Sequence, residues 1–587
     1  MIIKENDFIS SIDDHFWKVI RQEIEYSDIV AYRDIDKEKF LKRLLQKINN
    51  HDYFVQSSFY RYFAKGNGVL RKTKSFSLED LVVYYYCIKK IQDQLSSKIT
   101  ENEKVYGGYR ITPKSSEESK KDLTEALYFK MIDIIEPAKQ NTLDIEKLIT
   151  KYKDYILEID SIPEEYQPKI SKANFRKAWS EYQKLAREAG SKNYTKYIHI
   201  DIAHFYDDIN LSILERDLRN VVNENSNIID LLFHFLRSSD SKDIGYYPSN
   251  IGIPQEEIGE MSRLIANFYL SKYDSEILKF LKLKFRGKEN FLYTRYSDDM
   301  WICFNGDEYD AYEIIQNCSL LLSKLKLHVN EKKTRIYTKS MFKEHWYFKE
   351  WDKLDKRKSD INFLKKFYFS ILENSNQRGG RWLSIIRYTF KVISSRGAFN
   401  FGSEDAQKFF KSILENPSIV ENVGNKQINF IKQLFEKYPK LIVEALSYLN
   451  SKANIYPQFE CFLLKVLSRV NKKGYKNRIA KHFINIFVSS NKRISFNWFA
   501  RCICINFFIE NIEFIKKKFY SSLKSILKKI DSKDYIPNSI ERRYVIFFLY
   551  YYCQGIGSRT LKEKYSEVTD VSFILYLKEK RRRRIVL

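Results

Sequence analysis

The stretch FLYTRYSDDMWICF, residues 291–304, sets two adjacent carboxylates, Asp298 and Asp299, between two runs of strand-forming residues. Each run is short and rich in aromatic and aliphatic side chains, and Ser297-Asp298-Asp299 has the chemistry of a tight turn. The pattern predicts a β-hairpin with its carboxylates at the tip. Asp-Asp is also ordinary turn chemistry, so the hairpin by itself decides nothing about function.

The flanking segments shift that balance. In KYIHIDIAHFYDDIN (196–210), Ile198, Ile200 and Ile202 alternate with His199, Asp201 and Ala203, the period of a strand with one buried face, and Asp201 lies on the other face. GIPQEEIGEMSRLIANFYLSKYD (252–274) opens with a turn and continues with Ile258, Met261, Ile265, Phe268 and Tyr269 at helical spacing. A second amphipathic helix is expected from about Tyr309 to Leu325, and LHVNEKKTRIY (327–337) reads as a strand carrying Lys333. The order is strand, helix, hairpin, helix, strand.

That order can carry phosphoryl transfer. Transfer to a hydroxyl uses two divalent ions roughly 3.5–4 Å apart, one at the attacking oxygen and one at the leaving pyrophosphate. Mg²⁺ takes carboxylate oxygens and keeps waters and substrate phosphates as its remaining ligands. Asp201 at a strand end, facing Asp298 at the tip of a neighbouring hairpin, can hold two Mg²⁺ or Mn²⁺ ions, with Asp299 adding charge or orienting the pair. Lys333 can protonate or neutralise the departing pyrophosphate.

Tyr296-Ser297-Asp298-Asp299 resembles the Tyr-x-Asp-Asp motif of reverse transcriptases, DIAHFY (201–206) their first palm motif, GIPQ (252–255) their Gly-x-Pro-Gln motif, and LHVNEKKT (327–334) their segment ending in Lys-Thr. The motifs stand in the family order. By that match Asp201, Asp298 and Asp299 are metal ligands, Gln255 and Tyr296 lie beside the incoming nucleotide, and Tyr206 is the aromatic gate that excludes a ribose 2′-hydroxyl and selects dNTPs. Reverse transcriptases follow Pro-Gln with two small residues and then Ser-Pro, whereas this chain has Glu256, Glu257 and the pair Ser262-Arg263. That pair, with Ile265 and Tyr269 after it, resembles the abortive-infection (Abi) reverse transcriptases of bacterial antiphage defence. Like charges at Glu256 and Glu257 would repel a passing nucleic-acid backbone.

The Abi resemblance implies DNA synthesis from dNTPs without a conventional template, begun on a protein hydroxyl. The single-stranded DNA product would stay covalently attached, and a homo-oligomer is expected. Two alternatives stand beside it, a templated reverse transcriptase of the retron or group II intron class and a nucleic-acid-binding scaffold with an inactive palm. Neither Asn-Ala-x-x-His nor Val-Thr-Gly occurs, no Cys- or His-bearing endonuclease module follows the palm, and all three palm aspartates are present.

The expected fold class is α+β: a fingers region with helical insertions over 1–193, a palm over 194–350, and an all-α helical-repeat domain over 351–587 in place of a thumb. In VLRKTKSFSLEDLVVYYYCIKKI (69–91), Arg71, Lys72 and Lys74 precede Ser77 and Asp80, which resemble a helix capping box, and cations beside a helix N-terminus suit a triphosphate. Residues 97–121 are polar and read as a loop, and 122–190 read mainly as helix. Beyond about Asp355 strand signals vanish, and amphipathic helices such as QINFIKQLFEKYPKLIVEALSYL (427–449) follow one another in pairs.

With 101 Lys and Arg against 75 Asp and Glu, the formal charge is +26, which suits a polyanionic partner and also serves solubility. Lys516, Lys517 and Lys518, the tail KEKRRRRIVL (578–587) and Arg263 are the candidate nucleic-acid contacts. Seven cysteines without metal-ligand spacing argue for a reducing cytoplasm. The longest apolar run, YVIFFLYYYC (544–553), is half of a membrane span, so no membrane partner is expected.

Overall fold

The computed structural model describes residues 2–17, 37–56, 59–65, 69–100, 104–111, 175–222, 226–239, 249–255, 260–286, 290–375, 381–420, 424–452, 455–488, 497–532, 535 and 537–552. Glu256, Glu257 and the basic tail lie outside them. The chain forms two compact units, one of Met1–Ser77, Arg357–Asn374 and Leu383–Leu587, the other of Leu78–Lys356 with Ser375–Trp382. The first 77 residues cluster with the C-terminal helices.

In the first unit, β1 (Phe59–Ala64) and β2 (Leu70–Ser75) pair as an antiparallel hairpin. Sequence reading assigned no strand here. The hairpin is held by side chains distant in sequence: Gln458 both donates to the Ala64 carbonyl (2.7 Å) and accepts from the Ala64 amide (3.0 Å), so its amide stands in for a neighbouring strand. Trp498 Nε1 donates to the Tyr60 carbonyl at 2.9 Å, and the Arg61 guanidinium lies 4.0 Å from the Phe499 ring. Alternation then divides the cations, with Lys72 and Lys74 on the face of Tyr60 and Tyr62 and Arg71 on the face of Arg61. From Ile361 onward the described residues of the unit are mostly helical. Helices Asn425–Lys437, Pro457–Ser468, Trp498–Glu510 and Ser539–Tyr552 pack in succession, as do Ser403–Glu415, Lys440–Lys452, Lys473–Val488 and Tyr520–Asp531. Each helix is apolar toward its neighbours, and each fully buried Leu, Ile or Phe contributes about 1.5–3 kcal/mol.

The second unit is built on a five-stranded sheet of order β3-β5-β6-β4-β7, with β3 Val105–Tyr106, β4 Lys196–Asp201, β5 Phe291–Tyr296, β6 Asp299–Phe304 and β7 Arg335–Tyr337. The predicted hairpin is β5–β6, antiparallel, with Tyr296 opposite Asp299. β3 corrects the reading of 97–121 as loop: two residues suffice because the β5 backbone recruits them in parallel, and Thr294 Oγ1 donates to the Lys104 carbonyl at 2.8 Å. Helix Leu78–Thr100 also carries residues 97–100 of that stretch.

Alternation gives the sheet two unlike faces. Ile198, Ile200, Met300 and Ile302 are buried on the side of helices Glu260–Tyr269, Ser271–Phe285 and Glu308–Lys324. Tyr197, Trp301 and Cys303 are buried on the other side against Tyr182, Ala186, Phe342 and Trp346, from helices Phe175–Ser191 and Lys339–His345 and the residue that follows. Among the described residues no helix is long and apolar enough to cross a membrane.

Candidate active site

The site grows from the end of the β4–β6 ladder, where Asp201 stands directly opposite Asp299. Two like charges in that position destabilise a sheet unless each finds a cation. Asp201, 6% exposed, takes the Lys333 ammonium on both oxygens (2.9 and 2.8 Å) and the Asn330 amide at 3.0 Å. Lys333 sits in a turn rather than on the predicted strand: Lys333 N donates to the Asn330 carbonyl, and β7 begins only at Arg335. Asn330 starts that turn while its own amide donates to the Asp201 carbonyl at 2.8 Å, so the loop wraps the strand end.

Asp299 has a different set of partners. Its Oδ2 accepts from Arg381 Nη2 at 2.5 Å and from the Tyr182 hydroxyl at 3.1 Å, and its Oδ1 meets His199 Nε2. Burial raises the Asp299 carboxyl, but the Arg381 guanidinium and His199 outweigh it and hold the group well below the usual carboxylate range. The Arg381 guanidinium lies 4.5 Å from the Trp346 ring and 5.4 Å from that of Trp179. His199 stacks on Trp301 with ring centroids 4.6 Å apart, and burial pushes neighbouring His345 down to about 3.

Asp298 occupies the turn itself. Ser297 has φ 52°, the left-handed value that a two-residue hairpin turn requires at its first central position and that glycine usually supplies. The turn is held from below by Arg295, fully buried, whose Nη1 donates to the Ser297 carbonyl and to Asn267 Oδ1, both at 2.8 Å, while Nε and Nη2 grip Asp274 at 2.8 and 2.6 Å. Asn267 in turn donates to the carbonyl of Gly108, which approaches its helix so closely that a Cβ would lie 2.6 Å from the Leu264 nitrogen. The Asp298 carbonyl accepts from Ile202 N at 3.1 Å, which brings the turn to the end of β4. Burial, and then the carboxylates of Asp201 and Asp299, push Asp298 up to about 6.

Of three carboxylates, then, two have cations of their own and Asp298 carries the charge left over. Among the described residues no group of three or more His, Cys, Asp or Glu side chains is arranged as a metal site. A divalent cation fits the pair Asp201 and Asp298: both supply oxygen, their repulsion is what a cation relieves, and Asp201 already accepts a cationic group.

Tyr206 lies in the short helix Phe205–Asp208, and its carbonyl accepts from Ile253 N at 2.9 Å, so the segment that bears Gln255 straps the one that bears Tyr206. Tyr296 does not face an open cleft: it is 9% exposed, packed on Trp179 and Tyr182, because alternation puts it on the face of Asp299. Ser262 is buried and hydrogen-bonded to the Tyr84 hydroxyl at 2.8 Å, and Arg263 is partly buried beside it. Arg71, Lys72, Lys74 and Lys516, Lys517 and Lys518 belong to the other compact unit, the last three ending helix Ile512–Lys518. Sequence reading missed Arg381, Tyr182, Arg295 and Asp274; only His199, two residues before Asp201 on the same strand face, carried a local signal.

Among solved structures, apo telomerase from Candida tropicalis truncated from its C-terminal domain is 13% identical over 48% of this chain and 50% of its own, with a TM-score of 0.27. Telomerase from Candida albicans with a TWJ fragment of telomeric RNA is 11% identical over 73% of this chain and 66% of its own, with a TM-score of 0.27. The chain thus spans between half and two thirds of the length of these structures. No curated protein matches. Residues 143–385 match the family model described as reverse transcriptase (RNA-dependent DNA polymerase). That match identifies a reverse-transcriptase domain, of the nucleotidyltransferase polymerase type, within this chain.

Proposed function

We propose that this protein is a DNA polymerase of the Abi type, acting in bacterial antiphage defence in the cytoplasm, which joins dNTPs without a conventional template and begins on one of its own hydroxyls. The observation that carries the polymerase reading is the meeting of Asp201 and Asp298 at the end of β4, inside the segment that matches the reverse-transcriptase family. The sequence resemblance around Ser262-Arg263 supports the Abi subgroup, and the successive helices after Ile361 are compatible with a helical-repeat domain in place of a thumb. The homo-oligomer belongs to the same reading.

Asp201 and Asp298, with Asp299 beside them as the family pattern implies, would hold the divalent ions, Mg²⁺ or Mn²⁺, which when bound activate the attacking hydroxyl and offset charge on the leaving pyrophosphate. Lys333, which pairs with Asp201, would neutralise pyrophosphate once released from it. Tyr206 would line the sugar site and Gln255 the nucleotide. Lys72, Lys74 and Arg71 would meet a triphosphate, and Lys516, Lys517, Lys518 and Arg263 the nucleic-acid backbone.

The test gives purified, nuclease-treated protein labelled dNTPs with Mg²⁺ or Mn²⁺. The label should stay on the protein through a denaturing gel and disappear with DNase. Asp201→Asn and Asp298→Asn should each lower incorporation by orders of magnitude, since the charge stabilisation lost is worth several kcal/mol. Labelling that needs an added RNA template and a primer 3′ end, with none left on protein, would replace this reading by templated synthesis.

A further inference from the structure

Asp299 differs from its two neighbours in what already surrounds it. Both of its carboxylate oxygens are engaged, Oδ2 by Arg381 and Tyr182 and Oδ1 by His199. Its main-chain carbonyl also accepts from the Tyr182 hydroxyl at 3.3 Å. Tyr182 is fully buried and Arg381 is 20% exposed, enclosed by the indoles of Trp179 and Trp346. Arg381 Nε has no hydrogen-bond partner, and Asp299 is the carboxylate that compensates the guanidinium. Arg381 is itself fixed by its backbone, whose N–H donates to the His345 carbonyl at 3.0 Å. To join a metal ion, Asp299 would have to abandon a partly buried guanidinium, whose desolvation then goes uncompensated. Asp201 is in the opposite situation, since its cation is a lysine with a side chain 55% exposed that can swing into water. Asp298 receives no hydrogen bond from a described side chain.

We propose that Asp299 is not a ligand of the divalent ions but an anchor: Arg381, with His199 and Tyr182, grips it and fixes the β5–β6 hairpin, leaving Asp201 and Asp298 as the metal-binding carboxylates. Arg381 is thus a positioning residue that acts through Asp299. The inference rests on the polymerase reading and narrows it, because it changes which carboxylates carry the ions. It also assigns a cost to freeing Asp299, since a third carboxylate beside two others would tighten the grip on the ions.

The test is Mn²⁺ binding to the full chain, without nucleotide, followed by the loss of the free-ion electron paramagnetic resonance signal, with circular dichroism as the check on folding. Asp201→Asn and Asp298→Asn should each weaken binding by about tenfold or more, while Asp299→Asn stays within about threefold of wild type. Arg381→Gln should bind Mn²⁺ several-fold tighter, because a cation has left and a carboxylate is released. That gain should vanish in Arg381→Gln with Asp299→Asn, and Arg381→Lys should restore the wild-type affinity. A merely structural role for Arg381 predicts no such tightening. Loss of binding in Asp299→Asn equal to that in Asp298→Asn, or unchanged or weaker binding in Arg381→Gln, overturns the anchor. Should Asp299→Asn fail to fold, the Arg381→Gln titration decides alone by the same criterion. Wild-type affinity in both Asp201→Asn and Asp298→Asn would overturn the anchor and the polymerase reading together, whereas loss in all three aspartate variants overturns the anchor alone.

Discussion

Arg295→Met tests how the turn that carries Asp298 is held. Arg295 is fully buried, its partner Asp274 is 1% exposed, and the pair is joined by two hydrogen bonds at 2.8 and 2.6 Å. Methionine keeps much of the volume but leaves the Asp274 charge with the Tyr293 hydroxyl as its remaining donor. Breaking one side of a buried pair costs about 3–5 kcal/mol, because the surviving charge stays desolvated. At about tenfold per 1.4 kcal/mol, amide exchange of a peptide spanning residues 291–304 should accelerate on the order of 10²–10³-fold, read by hydrogen-exchange mass spectrometry. Adding Asp274→Asn removes the orphaned charge and lets Tyr293 keep its acceptor, so most of the protection should return. Nucleotide incorporation should not return with it, since the Ser297 carbonyl has still lost its Arg295 donor, which helps hold Ser297 in the left-handed region at φ 52°. Acceleration below about fivefold in the single variant, or no recovery in the double, refutes the reasoning.

Tyr206→Ala should lower discrimination against NTPs by about tenfold or more if the ring lies under the sugar, measured as the ratio of dNTP to NTP incorporation; an active variant with unchanged preference removes the gate role. Glu460→Gln should change the pH dependence of stability in the other compact unit. Glu460 is 1% exposed, accepts from Asn497 and has one oxygen without a partner, and burial pushes it up to about 7. Since its folded pKa is raised, the stability it contributes is complete below about 4.5 and is lost as pH rises toward about 7, at up to about 1.4 kcal/mol per pH unit. Exchange of helix Pro457–Ser468 should therefore quicken between pH 5 and 7 in wild type beyond the intrinsic rate, and Glu460→Gln should flatten that trend; identical slopes in the two proteins refute it.

What could be read from the sequence divides by range. β4, β5 and β6 were legible because their alternation is local, and helix Glu308–Lys324 because its apolar positions recur at helical spacing. The β1–β2 hairpin was not, since Gln458 and Trp498 hold it from 394 and 438 residues away and its own residues are mostly polar or aromatic. β3 was hidden for the same reason: two residues in a polar stretch have no period, and the β5 backbone makes them a strand. Lys333 was identified as part of the site but assigned to a strand, because the turn that begins at Asn330 interrupts a run with β-forming ends.

The division of labour among the aspartates follows from the same alternation, once long-range partners are added. Period two puts Asp299 on the face of His199 and Trp301, while Asp298 falls in the turn, outside either ladder. The sequence thus contained the difference between the two adjacent carboxylates, but not its consequence. That consequence depends on Tyr182 and Arg381, 117 and 82 residues away, which make the Asp299 face an enclosed aromatic box instead of an open one. Without them Asp201 and Asp299 would be equivalent, opposed charges at a strand end, and a metal could draw on both. With them, the negative charge left uncompensated lies on Asp298, at the one place where the turn brings it against the end of β4.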